Sequence, residues 1–483
     1  MSKEILINVE AQERRLAIIK EGKLEEYFIE RPQYKTIVGN IYKGRVKSVV
    51  ASIGAAFVDI GKEKNGFLYL SEKPEHFLEQ PVEEYSLFNN QIHKDQELLV
   101  QVVKESFGTK GPRITTHISI PGRYLVLMPQ DRHIGISRRI ESDVERARLL
   151  GLLSSLPLPK DVGFIVRTAA VGCDKRQLLR DMNFLTKLWR GIIKNQKRKK
   201  SPSITYEEYD LSLRIMRDSF TEDVNKVIVD NYAEYRRIVH FIKSFLPHLV
   251  RRVEFYSKDA PLFEEHKIEE EIEKIFGNRV FLDCGGYLVI EPTEGLVVID
   301  VNSGRFKKKT STEDMAFSVN RQAALEAARQ IRLRDLGGII VIDFIDMMEE
   351  KHRREIFRIL KDALKNDSAK ADILGISKFG LVEMTRERVY RTVESLSYTK
   401  CPYCEGKGRI KSVTTISINI IRSLRQHLKS NPKRELNIYL NPKVAEYLLN
   451  QNKFLIERLE KQFKNRIFIF SDPLLHVEQS RFS

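Results

Sequence analysis

Cysteine is scarce in this chain: four in 483 residues, at positions 173, 284, 401 and 404. So few, so scattered, cannot form the disulfide framework of a small secreted domain, and their use suits a reducing compartment. Long apolar runs are missing as well. None approaches the ~20 residues that a helix needs to span a bilayer. The segment from Met1 to Arg15 is charged and lacks the continuous apolar core of a secretion signal. A cytoplasmic location is the expectation. No internal repeat and no long low-complexity tail is visible, which argues against a solenoid and against a largely disordered chain.

What is present is charge. Hydrophobic residues make up 42% and charged residues 31%, the balance of a globular protein, and the net charge is +16. An excess of Lys and Arg on that scale favours a polyanionic partner; the alternative is a basic but otherwise ordinary surface. At roughly 100–200 residues per domain, the length predicts three or four domains. Residues 1–37 alternate apolar and polar, as in Ile5-Leu6-Ile7-Asn8-Val9, and read as strands. Between 38 and 118, glycines at 39, 44, 54, 61 and 66 separate short β-rich runs, the texture of a small barrel, with 71–93 as a long loop inside it. Residues 119–212 read as mixed α/β and end near the basic run 194–200. Residues 213–280 read as helical, 281–400 as α/β with a further strand at Ile373–Ile376, 401–412 as a hinge-like link, and 413–483 as a small α/β unit with a strand at 436–440 and a helix at 444–449.

The most informative feature is a pair of aspartates. Leu296-Val297-Val298-Ile299-Asp300 and Gly338-Ile339-Ile340-Val341-Ile342-Asp343 are two strand-like runs ending in Asp. Between them, Ser311 with Asp314 three residues later marks a helix start, and Ala316, Val319, Ala323, Ala327 and Ile331 fall on one helix face. Strand, helix, strand predicts two parallel strands joined by a right-handed crossover, with both carboxylates at one sheet edge. Two such acids can hold a divalent cation, which would polarise a phosphodiester and activate a water. Asn302 is placed to orient Asp300 or the scissile phosphate by hydrogen bonding, and Asp346 is a weaker, outer acid. None of the ten histidines lies in 281–304 or 337–346, so acid–base catalysis through the ribose 2′-hydroxyl finds no partner there. The alternative is that the aspartates form turns or ion pairs.

In the barrel, Ala56, Val58, Ile60, Leu68 and Leu70 alternate inward, which turns Phe57, Phe67 and Tyr69 outward. Two outward phenylalanines suggest a stacking platform for unpaired bases, with Lys43, Arg45 and Lys110 near the phosphates; the alternative is that the rings pack beneath the 71–93 loop. Cys401-Pro402-Tyr403-Cys404 has metal-ligand spacing and no histidine close to it in sequence, whereas Cys173 and Cys284 read as core residues. Structural zinc needs four ligands, so a second copy would have to supply two, making a dimer or larger; a redox pair, or thiols that bind nothing, remain open.

Gly295–Gly304, Leu333–Met347, Cys401–Cys404, Gly39–Val46 and Gly135–Ile140 together closely resemble the ribonuclease E/G family, from the first strand to beyond the cysteines. The chain lacks the long disordered arm of the larger members, so the resemblance is to the shorter, ribonuclease G side of the family. The resemblance implies a magnesium-dependent endoribonuclease cutting single-stranded AU-rich RNA, with a preference for a 5′-monophosphate, acting in rRNA 5′-end maturation and mRNA decay. It implies magnesium on Asp300 and Asp343 assisted by Asn302, RNA contacts at Phe57, Phe67 and Lys110, and zinc shared between two chains by Cys401 and Cys404 in a homodimer or homotetramer. It further implies a 5′-phosphate pocket at Gly122, Val126, Arg167 and Thr168. Its second arginine is replaced by Lys370, which keeps the charge but not the planar fork. The implied fold is multidomain: a split, degenerate RNase H-like domain (1–37 and 213–280), an OB-fold barrel (38–118), a 5′-sensor (119–212), a DNase I-like catalytic domain (281–400), a zinc link (401–412) and a small C-terminal domain (413–483). A catalytically inert RNA-binding scaffold of the same architecture is the alternative.

Overall fold

Alternating strands at the start of the chain find partners far away in sequence. The computed structural model describes residues 3–70, 92–106, 110–129, 131–132, 134–159, 161–306, 311–365, 367, 369–377, 379–387, 393–430 and 435–483. Lys3–Val9, Arg14–Lys20 and Lys23–Glu30 form antiparallel hairpins, the second turned by Glu21 and Gly22 at positive φ. On its other edge Lys3–Val9 pairs in parallel with Val224–Val229, which pairs with Val253–Phe255. Segment 213–280, expected to be helical, therefore contributes strands as well as helices. Val224, Val227 and Val229 are buried β-branched residues whose partners lie at the far end of the sequence, which local periodicity does not reveal.

Ile41–Val50, Ala55–Asp59, Gly66–Tyr69, Arg113–Thr115 and Glu97–Lys104 pair in that order and close through Glu97–Lys104 on Ile41–Val50, an OB-like five-stranded barrel. Val46, Ala56, Val58, Ile60, Leu68 and Ile114 fill it, with Leu70 partly buried. All but the last two residues of the expected 71–93 loop lie outside the described residues. Ser203–Tyr206, expected with the following segment, instead adds to the barrel strand Ile41–Val50. A four-stranded sheet of Ile134–Ile136, Gly163–Val166, Leu125–Met128 and Ile120–Pro121 follows. The long helix Lys175–Arg198 packs on it, started by a capping box between Asp174 and Gln177.

A six-stranded sheet carries the aspartates, in the order Arg279–Phe281, Tyr287–Pro292, Leu296–Asn302, Gly338–Asp343, Leu381–Arg386, Ala371–Ile376. Helix Thr312–Leu333 makes the crossover and buries Ala316, Val319, Ala323, Ala327 and Ile331, the stripe expected from the sequence. Ser311 caps it by accepting from the Asp314 amide. The chain divides into two compact units, Met1–Glu394 and Ser395–Ser483. In the second, helices Val413–Ser430, Pro442–Gln451 and Lys453–Phe463 share a core with strands Glu435–Leu440 and Arg466–Ser471. Among the described residues no helix is long and apolar enough to cross a membrane.

Candidate active site

Along Leu296–Asn302 alternate residues face opposite ways. Val297, Ile299 and Val301 go under the crossover helix with Ile340 and Ile342 of the next strand. That alternation places Asp300, Asn302 and Asp343 together on the open face. Asp300 and Asp343 are direct register partners of parallel strands. The Asn302 amide donates to Asp300 Oδ2 at 2.8 Å, two residues along the same face. Gly304 then turns the chain at φ +54, where a Cβ would run into the Gly285 carbonyl.

Burial and two like charges, Asp300 and Asp346, raise the Asp343 carboxyl above its ordinary pKa. Among the described residues the charges acting on it are both negative, and neither Asp300 nor Asp343 forms an ion pair. No group of three or more His, Cys, Asp or Glu among the described residues is arranged to cage a metal. Two adjacent carboxylates suit magnesium, which keeps several waters and is typically held by one or two carboxylates plus substrate phosphate.

The loop after Asp343 is fixed by residues that sequence reasoning missed. The Asn320 side chain, fully buried, donates to the Ile345 carbonyl at 2.8 Å and accepts from the Ile345 amide at 3.0 Å. Two helical turns earlier along the crossover helix, Glu313 accepts from the Met348 and Glu349 amides and pairs with His352 Nδ1 at 2.8 Å. These bonds lower the Glu313 pKa. The sequence did carry a signal: an asparagine four residues after Ala316, inside an otherwise apolar helix stripe, must find a buried partner.

In the barrel Phe57 and Phe67 are register partners on the outward face, with ring centroids 5.6 Å apart and edge-on. Tyr69 continues the cluster at 4.7 Å from Phe67, and the Arg113 guanidinium lies 5.1 Å from the Tyr69 ring. Lys110 is exposed. Lys43 and Arg45, expected to face phosphates, both bind Glu97, at 2.9 and 3.2 Å; cross-strand pairing on the barrel wall uses charge that composition alone left unassigned.

The expected 5′-phosphate residues are brought together only in part. Gly122 is buried, and a Cβ there would lie 2.6 Å from the Asp181 carboxylate, which accepts from the amides of Arg123, Tyr124 and Leu125. Burial nonetheless raises the Asp181 pKa. Arg167 donates to the Gly122 carbonyl and pairs with Asp218 at 2.7 Å. Val126 is half-buried beside Met128 and Ile165, and Thr168 opens a short turn. Lys370 is exposed and lines a separate cleft of about 720 Å³ with Arg139 and Lys365, in which Arg167 takes no part. Sequence reasoning missed Asp218 altogether.

In the smaller unit Cys401 is exposed, and hydrogen bonds from the Cys404 and Tyr403 amides and the Cys404 thiol lower its pKa, favouring a thiolate. A histidine does come near in space: His476 lies 4.2 Å from the Tyr403 ring and bonds the Tyr403 carbonyl at 2.7 Å. Cys173 is buried and Cys284 half-buried against the cores, as expected.

The sequence profile of the Ribonuclease E/G family matches residues 119–389, and that of the RNase E/G, Thioredoxin-like domain matches residues 400–483. The chain is 38% identical to Ribonuclease G of Haemophilus influenzae over 99% of its own length and 98% of that protein. Against Ribonuclease G of Escherichia coli K12 it is 38% identical over 99% of both. Against Ribonuclease E of the same strain it is 38% identical over 95% of this chain and 44% of that longer protein.

Proposed function

Given that the chain belongs to the ribonuclease E/G family, we propose that it is an endoribonuclease that cuts single-stranded, AU-rich RNA by magnesium-assisted hydrolysis at Asp300 and Asp343. The carrying observation is the register pairing of two like-charged carboxylates on one sheet face. Magnesium, when bound there, supplies a polarised phosphoryl oxygen and a water of lowered pKa. Asn302 holds Asp300 in one rotamer through the 2.8 Å bond, leaving the second carboxylate oxygen free for the ion. Asn320 fixes the loop behind Asp343. Phe57 and Phe67 offer edges and faces to unstacked bases, and Lys110 offers a charge to the backbone. Water attacking in line leaves a 5′-phosphate and a 3′-hydroxyl.

A 5′-monophosphate preference would rest on Arg167, Thr168, Gly122 and Val126. Arg167 is held between the Gly122 carbonyl and Asp218, so an incoming phosphate competes with Asp218 for the guanidinium. Lys370 would contribute as a point charge from the neighbouring cleft. Zinc would take Cys401 and Cys404 from each of two copies, since the knuckle favours a thiolate and one chain supplies two of the four ligands. The natural roles that fit are rRNA 5′-end processing and mRNA decay in the cytoplasm.

The test is cleavage of a 5′-monophosphorylated AU-rich oligonucleotide with and without magnesium, with product ends mapped. Magnesium-dependent products ending in 5′-phosphate and 3′-hydroxyl support the reading. Cyclic 2′,3′-phosphate ends would overturn the role of the aspartates, and folded protein that binds but never cuts would leave an inert scaffold.

A further inference from the structure

Among the described residues of the smaller unit, the helices cover one face of its three-stranded sheet. Ile438, Leu440, Ile467 and Ile469 pack under the helices. On the opposite face the register sets Tyr439 between Phe470 and Arg481, with Asn437 beside Phe468 in the next row. The Tyr439 and Phe470 rings are stacked at 5.1 Å and 22°, and the Arg481 guanidinium stands 4.5 Å from the Tyr439 centroid. Phe468 and Phe470 are 40% and 43% exposed. A solvent-facing sheet surface ordinarily carries polar residues; this one carries partly exposed rings stacked on one another and a guanidinium that also pairs with Asp472 at 3.4 Å.

The surrounding charge selects the occupant. Residues 395–483 hold sixteen Lys and Arg against seven Asp and Glu, so this small unit carries +9 of the chain's +16. A second copy laid on the same face would bring like charge against like. A polyanion with exposed π-faces brings the opposite charge and the matching shape. We infer that Tyr439, Phe468, Phe470 and Arg481 form a base-stacking platform for single-stranded RNA, separate from the residues that cut it. A base extends the ring stack at Phe470, the guanidinium exchanges its 3.4 Å pairing with Asp472 for a phosphate, and the Asn437 side chain meets a base edge. The platform works in binding alone and does not depend on the catalytic reading.

The experiment uses the full chain with magnesium withheld, so that RNA binds without being cut. Oligouridine carrying 4-thiouridine is crosslinked and the adducts are mapped by mass spectrometry, and the affinity of a long oligonucleotide is read by fluorescence anisotropy. Adducts on Tyr439, Phe468 or Phe470 are expected. The double variant Tyr439→Ala/Phe470→Ala should bind the long RNA roughly 10- to 100-fold more weakly, following the ~1–3 kcal/mol per stacked base. Tyr439→Phe/Phe470→Tyr keeps the rings and should keep the affinity, which separates stacking from misfolding. Adducts confined to Phe57 and Phe67, with unchanged affinity in the alanine variant, would overturn the platform while leaving the proposed nuclease intact. A smaller particle by light scattering, again with unchanged affinity, would overturn it in favour of a second copy on this face. A chain that binds no RNA at all would overturn both readings.

Discussion

Asp300 and Asp343 differ in what surrounds them although they are register partners. Asp300 has a hydrogen-bond donor in Asn302; Asp343 meets burial and like charge among the described residues. Asp300→Asn or Asp343→Asn should abolish cleavage and leave RNA affinity by gel shift largely unchanged; loss of binding and fold together would contradict a metal-site role. Asn320 touches no substrate, so it is a positioning residue. Asn320→Leu is expected to weaken magnesium affinity or activity by ~10- to 100-fold, in the range seen when a supporting partner of a ligand is lost. The magnesium concentration for half-maximal rate should rise, whereas a purely structural role would lower the melting midpoint and leave that concentration alone. Arg167→Gln should erase the discrimination between 5′-monophosphate and 5′-hydroxyl ends, measured as the ratio of kcat/KM values.

Two helices connect these residues to the rest of the fold. The crossover helix lies close to its sheet because its inner face is small: Ala316, Ala323, Ala324, Ala327 and Ala328 are all buried. Ala323→Leu should therefore overpack the interface by ~1–3 kcal/mol, visible as a lower urea midpoint. The short helix Leu211–Asp218 is held at both ends by carboxylates. Asp210 faces Arg14 and Arg237, and Asp218 faces Arg167 and Arg217. For both, arginine partners hold the carboxyl below its ordinary pKa despite the opposing effect of burial. A depressed folded-state pKa gives stability that is present above the unfolded value of ~4 and is lost as pH falls through the folded value. Asp210→Asn/Asp218→Asn should accordingly lower the urea midpoint at neutral pH and flatten its fall below about pH 4; an unchanged acid limb would contradict this.

For the whole molecule, the positive charge is unevenly divided, with +9 of the +16 in residues 395–483. If two chains share zinc through Cys401 and Cys404, Cys404→Ser should reduce the particle mass by light scattering, and an unchanged mass would refute the shared site. Much of the architecture was legible in the sequence. The strand–helix–strand around Asp300 and Asp343, the Ser311 cap, the alanine stripe and the inward row of the barrel all follow from local periodicity, and periodicity is a property of neighbouring residues. Family strings identified the family for the same reason, because they are contiguous. What the sequence left open were relations between distant residues. Val224–Val229 reads as part of a helical stretch until Lys3–Val9 lies beside it. Lys43 and Arg45 read as free cations until Glu97 crosses the barrel wall. Asp218 has no visible role until folding sets it against Arg167, and Asn320 none until Ile345 returns to it. Local pattern determined which elements form and which residues could carry the chemistry. Tertiary structure alone decided which charges are already paired and which remain for a ligand, because long-range pairing depends on the closure of the fold and not on spacing along the chain.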